Sequence, residues 1–202
     1  MKIKNVIFDV GGVLIDWNPF ELLSNMFDET KAVILKKNMM DSPYWAELDR
    51  GAVSVDQAVE LFSQNIPELR KDVESALKGF VDYLPVIEEN VDILYKLSNE
   101  DYNLYVLSNF HLESFEKARK KYAFFGLFDG LVISSRVKMI KPNVEIYEHI
   151  LNKFALDPSE TVFFDDSIQN IETALELNII AVHTPTTESL QAYYEKKLKK
   201  EK

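Results

Sequence analysis

Three aspartates carry most of the chemical promise of this sequence. Asp9 ends the apolar run Val6-Ile7-Phe8, and the pair Asp165-Asp166 ends Val162-Phe163-Phe164. A third run, Tyr105-Val106-Leu107, ends in Ser108-Asn109. If these runs are parallel strands, their carboxyl ends share one edge, which gathers three carboxylates and a hydroxyl in one place. Two like charges about 4 Å apart repel by about 4 kcal/mol at an effective dielectric of roughly 20. A divalent cation makes such a cluster tolerable, and oxygen-only ligation without His or Cys points to Mg²⁺. Taken singly the acids have plainer readings: Asp9 caps a turn, and Asp165-Asp166 opens the next helix.

Lys141 stands just ahead of Pro142-Asn143, at a helix start. A lone lysine in a loop is usually solvated. Beside a carboxylate cluster and a metal it balances a phosphate's charge as a point-charge donor. Ser108, with the backbone N–H that follows it, can hold phosphate oxygens, and it can equally cap the helix that follows. His111, two residues beyond Asn109, either lines the same pocket and lends a proton or begins a surface helix. An anionic substrate in so acidic a chain requires that the site bring its own positive charge.

The elements that must position these groups are legible as patterns. Five near-continuous apolar runs read as strands buried on both faces: Ile3–Asp9, Asn103–Ser108, Gly130–Ser134, Thr161–Asp165 and Asn178–His183. Helical spacing marks Ile87–Leu97, Leu112–Lys121, Val144–Phe154 and Ile168–Leu177 between the later strands. The alternation predicts an α/β fold, a doubly wound parallel sheet. From Trp17 to Tyr83 only helix signals appear. Asn18-Pro19-Phe20-Glu21 and Ser54-Val55-Asp56-Gln57 are capping patterns, and Ser42-Pro43 is a weaker one. The expected organisation is an α/β core of residues 1–16 and 84–202 with a helical insert of residues 17–83 after the first strand. Ligands in such sheets bind at the carboxyl edge, so the insert is placed to act as a lid.

Composition narrows the class. The chain has 202 residues, 47% hydrophobic and 28% charged, and no cysteine. That excludes disulfide scaffolds, Cys-ligated metals and Cys nucleophiles. No apolar run approaches the roughly 18 residues that span a bilayer, so no membrane partner is expected. Met1 leads directly into a strand-like segment without a signal-peptide layout, and a soluble cytoplasmic protein is the expectation. The net charge is −10 although residues 196–202 hold five Lys and one Glu. So acidic a body repels a nucleic-acid backbone. The basic tail reads as a solvated, fraying helix end or as an interaction arm.

The ordered set FDVGGVLID (Asp9), LSN (Ser108-Asn109), Lys141 before Pro142, and FFDDSIQNIETA (Asp165, Asp166, Asn170) resembles the four motifs of the haloacid dehalogenase-like hydrolase superfamily. The insert is similar to the cap of its branch with an all-helical cap. The resemblance implies phosphoryl transfer through an aspartyl-phosphate. It implies that Asp9 is the nucleophile and a metal ligand, that the Gly11 carbonyl and Asp166 are further ligands, and that Asp165 and Asn170 belong to the metal shell. Ser108 and Asn109 are then phosphate binders and Lys141 the charge balancer. The expectation is an Mg²⁺-dependent phosphatase of a small phosphorylated metabolite, monomeric or homodimeric, and the branch with this first motif is similar to sugar-phosphate phosphatases. A metal-independent 2-haloacid dehalogenase and an inactive phospho-ligand binder are the alternatives.

One position departs from the pattern. Phosphatases of this superfamily generally carry a second Asp two residues after the nucleophile, as general acid and base, and here that residue is Gly11. Loss of such a group costs about 10²–10⁴ in rate. Its work then falls to water, to His111 or Asp16, or to a substrate that leaves easily.

Overall fold

A computed structural model describes residues 2–199 of the chain. Five strands form one all-parallel sheet: β1 (Asn5–Phe8), β2 (Asn103–Ser108), β3 (Gly130–Ile133), β4 (Thr161–Asp165) and β5 (Ile180–His183), in the order β3-β2-β1-β4-β5. β1 is central, with Asn5 opposite both Asn103 and Thr161. The apolar alternation along β1 feeds two layers. Val6 and Phe8 join one buried cluster and Ile7 the other. This is the doubly wound arrangement that the strand–helix alternation predicts.

Among the described residues eleven α-helices flank and extend the sheet. They are α1 (Pro19–Met26), α2 (Glu29–Leu35), α3 (Pro43–Arg50), α4 (Val55–Ser63), α5 (Arg70–Gly79), α6 (Glu88–Ser98), α7 (Leu112–Lys121), α8 (Ser134–Val137), α9 (Val144–Phe154), α10 (Ile168–Glu176) and α11 (Thr187–Tyr193). Helices α9 and α10 bury Ile146, Tyr147, Ile150 and Ala174 with Ile7. Helices α6, α7 and α11 bury Leu94, Leu97, Phe115 and Leu190 with Val6 and Phe8.

Between Pro19 and Tyr83 every element is helical. The starts follow the local chemistry of the sequence. Asn18 accepts from the Glu21 N–H at 3.3 Å, and Ser54 and Gln57 close a reciprocal capping box. Gly51 ends α3 in the left-handed conformation, φ 71°. Two wide turns, Lys36–Met40 and Tyr194–Leu198, have no counterpart in the sequence patterns. The first strand stops at Phe8 and the last begins at Ile180, both shorter than the apolar runs. Asn178 adopts φ 61°, and Ile179 N–H closes α10 on the Ala174 carbonyl at 3.1 Å, so the chain cannot extend there.

The basic tail lies partly outside the described residues. Within them Leu198 is buried and Lys199 pairs with Glu195 at 2.7 Å. Among the described residues no helix is long and apolar enough to cross a membrane.

Candidate active site

The carboxyl ends of β1 and β4 lie side by side, because Asp9 N–H donates to the Phe164 carbonyl at 2.9 Å. This register brings Asp9, Asp165 and Asp166 together, with carboxylate oxygens within 4.8 Å of one another. Beyond Asp9 the chain turns tightly. Leu14 and Ile15 N–H groups both return to the Val10 carbonyl at 2.9 Å. Gly12 sits at φ 72°, and a Cβ there would collide with the Asp166 carboxylate. Glycine therefore serves both the left-handed turn and the close approach.

Lys141 is 3% exposed and reaches in from the segment before α9. Its ammonium lies 2.9 Å from Asp9 Oδ2 and 2.6 Å from Asp165 Oδ2. Burial opposes its charge, but the Asp165 and Asp9 carboxylates outweigh that and hold its pKa above the ordinary value. Asn109 fixes the lysine's backbone. Its Oδ1 accepts from Lys141 N–H at 2.9 Å and its Nδ2 donates to the Lys141 carbonyl at 3.0 Å. The expected phosphate-binding amide of Asn109 is thus engaged as a brace of Lys141.

The two acids after β4 differ in their surroundings. Asp165 is fully buried and its oxygens are taken. Oδ1 accepts from Ser167 N–H at 2.8 Å and from Asn170 Nδ2 at 2.9 Å, while Oδ2 takes Lys141 and a second contact from Asn170. Asp166 stands at the exposed flank of the cluster. Partial burial, followed by the charge of Asp165, pushes its pKa up. Asp9 is pushed up to about 7, by burial first and then by Asp165 and Asp166, with Lys141 pulling the other way. One lysine for three carboxylates leaves an excess of negative charge in an oxygen-only donor set. That set fits a hard divalent cation at Asp9 and Asp166, with Gly11 beside them on the same cavity wall.

Above the cluster is a cavity of about 260 Å³, lined by Asp9, Gly11, Ser108, Asn109, His111 and Asp166. Apart from Asp49, the rest of its lining is apolar and includes Trp17, Trp45, Phe80, Leu84 and Phe110. The Trp17 and Trp45 rings are 5.9 Å apart, and each lies about 6 Å from Phe80, at 5.8 and 6.1 Å. One residue of the expected neighbourhood falls elsewhere. Asp16 is exposed and lies outside this cavity, its N–H on the Pro85 carbonyl. One residue that the sequence patterns miss is Asp49 of α3, which enters the cavity wall from the helical segment. On an amphipathic helix it reads as one more surface acid.

Residues 6–183 match the family described as haloacid dehalogenase-like hydrolase. A sesquiterpene phosphatase of Aspergillus oryzae is 26% identical over 89% of this chain and 89% of its own length. A D-ribitol-5-phosphate phosphatase of Bacteroides thetaiotaomicron is 26% identical over 87% and 88%. A family enzyme of the same bacterium, solved as a magnesium complex, superposes with a TM-score of 0.74 at 25% identity, covering 91% of this chain and 93% of the other.

Proposed function

This chain belongs to the haloacid dehalogenase-like hydrolase family, and from that membership we propose that it is an Mg²⁺-dependent phosphomonoesterase working through Asp9. The observation that carries the reading is the Lys141 ammonium shared between Asp9 and Asp165 at the floor of a cavity that also holds Asp166. In this reading residues 17–83 are a cap over a core of 1–16 and 84–202.

The residues divide the work. Asp9 Oδ attacks phosphorus, the bond from phosphorus to the ester oxygen breaks, and an aspartyl-phosphate forms. Water then attacks the same phosphorus, the bond to Asp9 breaks, and phosphate leaves. Lys141 offsets the charge of nucleophile and phosphoryl group throughout, in a largely water-excluded place where such electrostatic help is strongest. Asp165 and Asn109 keep Lys141 there, and Ser108 on the cavity wall would hold a phosphoryl oxygen. Asp9 and Asp166, with the Gly11 carbonyl, would hold Mg²⁺, which supplies Lewis-acid neutralisation of the phosphoryl oxygens. Relatives named as phosphatases and a magnesium-bound relative support this assignment.

For the organic part of the ester the sequence points to a sugar phosphate, and the D-ribitol-5-phosphate phosphatase relative supports that. The cavity wall favours a second reading. Trp17, Trp45, Phe80, Leu84 and Phe110 offer apolar and aromatic surface and few hydrogen-bonding groups for hydroxyls. An alcohol with an apolar face suits them, in keeping with the sesquiterpene phosphatase relative.

Hydrolysis of p-nitrophenyl phosphate, with Mg²⁺ and with EDTA, tests the activity. Turnover lost in EDTA supports the reading. Turnover of 2-haloacids indifferent to EDTA, or none of either substrate, contradicts it.

A further inference from the structure

The proposal below rests on the phosphomonoesterase reading. Cleavage of an unactivated ester needs a proton for the leaving oxygen, and hydrolysis of the aspartyl-phosphate needs a base for water. Gly11 has no side chain to do either, and Asp16 lies outside the cavity.

Besides Asp166, two titratable groups share the cavity with Asp9. Asp49 is 9% exposed and His111 is 2% exposed. His111 Nε2 meets Ser114 Oγ at 2.6 Å. Its Nδ1 faces Asp49 Oδ1 at 3.5 Å and has no hydrogen-bond partner. Leaving a buried polar atom unpaired costs about 1–3 kcal/mol. The Trp45 and Phe80 rings pack on the imidazole at centroid distances of 5.9 and 5.5 Å, the first T-shaped and the second tilted. One hydroxyl builds the pair. Ser134 Oγ, fully buried, accepts from Phe110 N–H at 2.9 Å and donates to the Asp49 carbonyl. Ser135 Oγ donates to the Phe110 carbonyl at 2.6 Å, and Lys138 donates to the Gly51 carbonyl. The end of α3 and the loop carrying His111 are thereby tied to the same short helix, α8.

We propose that Asp49 is the proton carrier missing at Gly11, delivered to the same cavity by the helical segment, and that His111 is its positioning residue. The step uses one proton carried on the Asp49–His111 pair. As Asp9 attacks phosphorus and the ester bond breaks, Asp49 gives that proton to the leaving oxygen, and the product is a neutral alcohol. Asp49, now a carboxylate, takes a proton from the water that attacks the aspartyl-phosphate. Inorganic phosphate and the Asp9 carboxylate result, and the pair is recharged. Because Asp49 lies on α3, the site is complete only with that helix seated on α8.

The test compares p-nitrophenyl, phenyl and hexyl phosphate with Mg²⁺ in wild type, Asp49→Asn and His111→Gln. The constant kcat/KM stops at alcohol release and so reads the acid step. Asp49→Asn is expected to lower kcat/KM for hexyl phosphate by about 10²–10⁴ and for p-nitrophenyl phosphate by less than about tenfold, since nitrophenolate leaves without a proton. A burst of nitrophenol before a slow steady state should expose the lost base. His111→Gln should show the same selectivity more weakly, which a purely structural role would not produce. Adding Gly11→Asp to Asp49→Asn should restore hexyl phosphate turnover. A Cβ at Gly11 meets only Trp17, at an ordinary 3.6 Å. Equal loss on all three esters without rescue, or hexyl phosphate turnover unchanged in Asp49→Asn, overturns the proposal. A wild type that cleaves none of the three overturns the phosphomonoesterase reading itself, and this proposal with it.

Discussion

Lys141 donates to Asp165 at 2.6 Å inside a site where Asp165 is fully buried and already accepts from Asn170 and Ser167. Adjacent acids at the end of β4 thus differ: Asp165 holds the lysine, and in the proposed function Asp166 holds the cation. Removing one partner of a buried pair is costly, and Asp9 remains to compensate in part. Asp165→Asn should therefore lower stability by about 3 kcal/mol in metal-free protein. Asp166→Asn should leave metal-free stability unchanged or raised, because it removes repulsion. It should also abolish the rise in Tm on adding Mg²⁺. Thermal melts of both variants with and without Mg²⁺ check this; equal destabilisation by the two would contradict the division.

The raised pKa of Asp9 predicts a pH dependence. Its folded value, about 7, lies above the ordinary 3.8, because burial and the neighbouring acids disfavour its charge. A group raised in this way contributes stability that is fully present below its unfolded value and lost as pH rises through its folded value. Metal-free wild type should therefore lose stability relative to Asp9→Asn between about pH 4 and 7. Mg²⁺ should raise Tm more above pH 7 than near pH 5. Parallel melting curves for wild type and Asp9→Asn across that range would count against the assignment.

Gly12→Ala probes the turn. The new methyl group meets the Asp166 carboxylate, and the left-handed backbone costs a non-glycine residue roughly 1–2 kcal/mol. Mg²⁺-dependent turnover should fall by about 100-fold or more, on the scale of losing a metal's charge stabilisation. The fall in Tm should stay small. Steady-state rates titrated with Mg²⁺ measure it, and wild-type affinity for Mg²⁺ would be the wrong result for this geometry.

Trp45→Ala tests the apolar wall. Fully burying a large apolar side chain is worth about 1.5–3 kcal/mol, and an alcohol stacked on Trp45 gains part of that. The variant should lose about tenfold in kcat/KM for benzyl phosphate and change little for a hexose phosphate. The reverse selectivity would favour the sugar-phosphate reading.

Much of this site is legible in the sequence, for a physical reason. Strands buried on both faces must be near-continuously apolar, so a polar residue ending such a run marks the sheet edge. Asp9, Ser108 and Asp165 are found that way. Lys141 is legible only with the motifs around it, since nothing local distinguishes it from a solvated lysine. Asp49 is not legible at all. Its neighbours in Glu47-Leu48-Asp49-Arg50 belong to an ordinary amphipathic helix, and its place opposite His111 depends on Ser134, 85 residues away. Asn109 is expected to bind phosphate, and it lines the cavity. That its amide serves the Lys141 peptide depends on a contact across 32 positions. Asp16 shows the converse, near in sequence to Asp9 and yet turned out to solvent.

Phosphorylation of Asp9 during turnover is the step on which the proposed function turns. Rapid acid quenching of the protein turning over p-nitrophenyl phosphate with Mg²⁺, followed by peptide mass spectrometry, reads it directly. One phosphoryl group is expected on the peptide containing Asp9, removed by hydroxylamine and missing from Asp9→Asn, which should not turn over. A phosphoryl group on a different peptide, or steady turnover by Asp9→Asn, would overturn it.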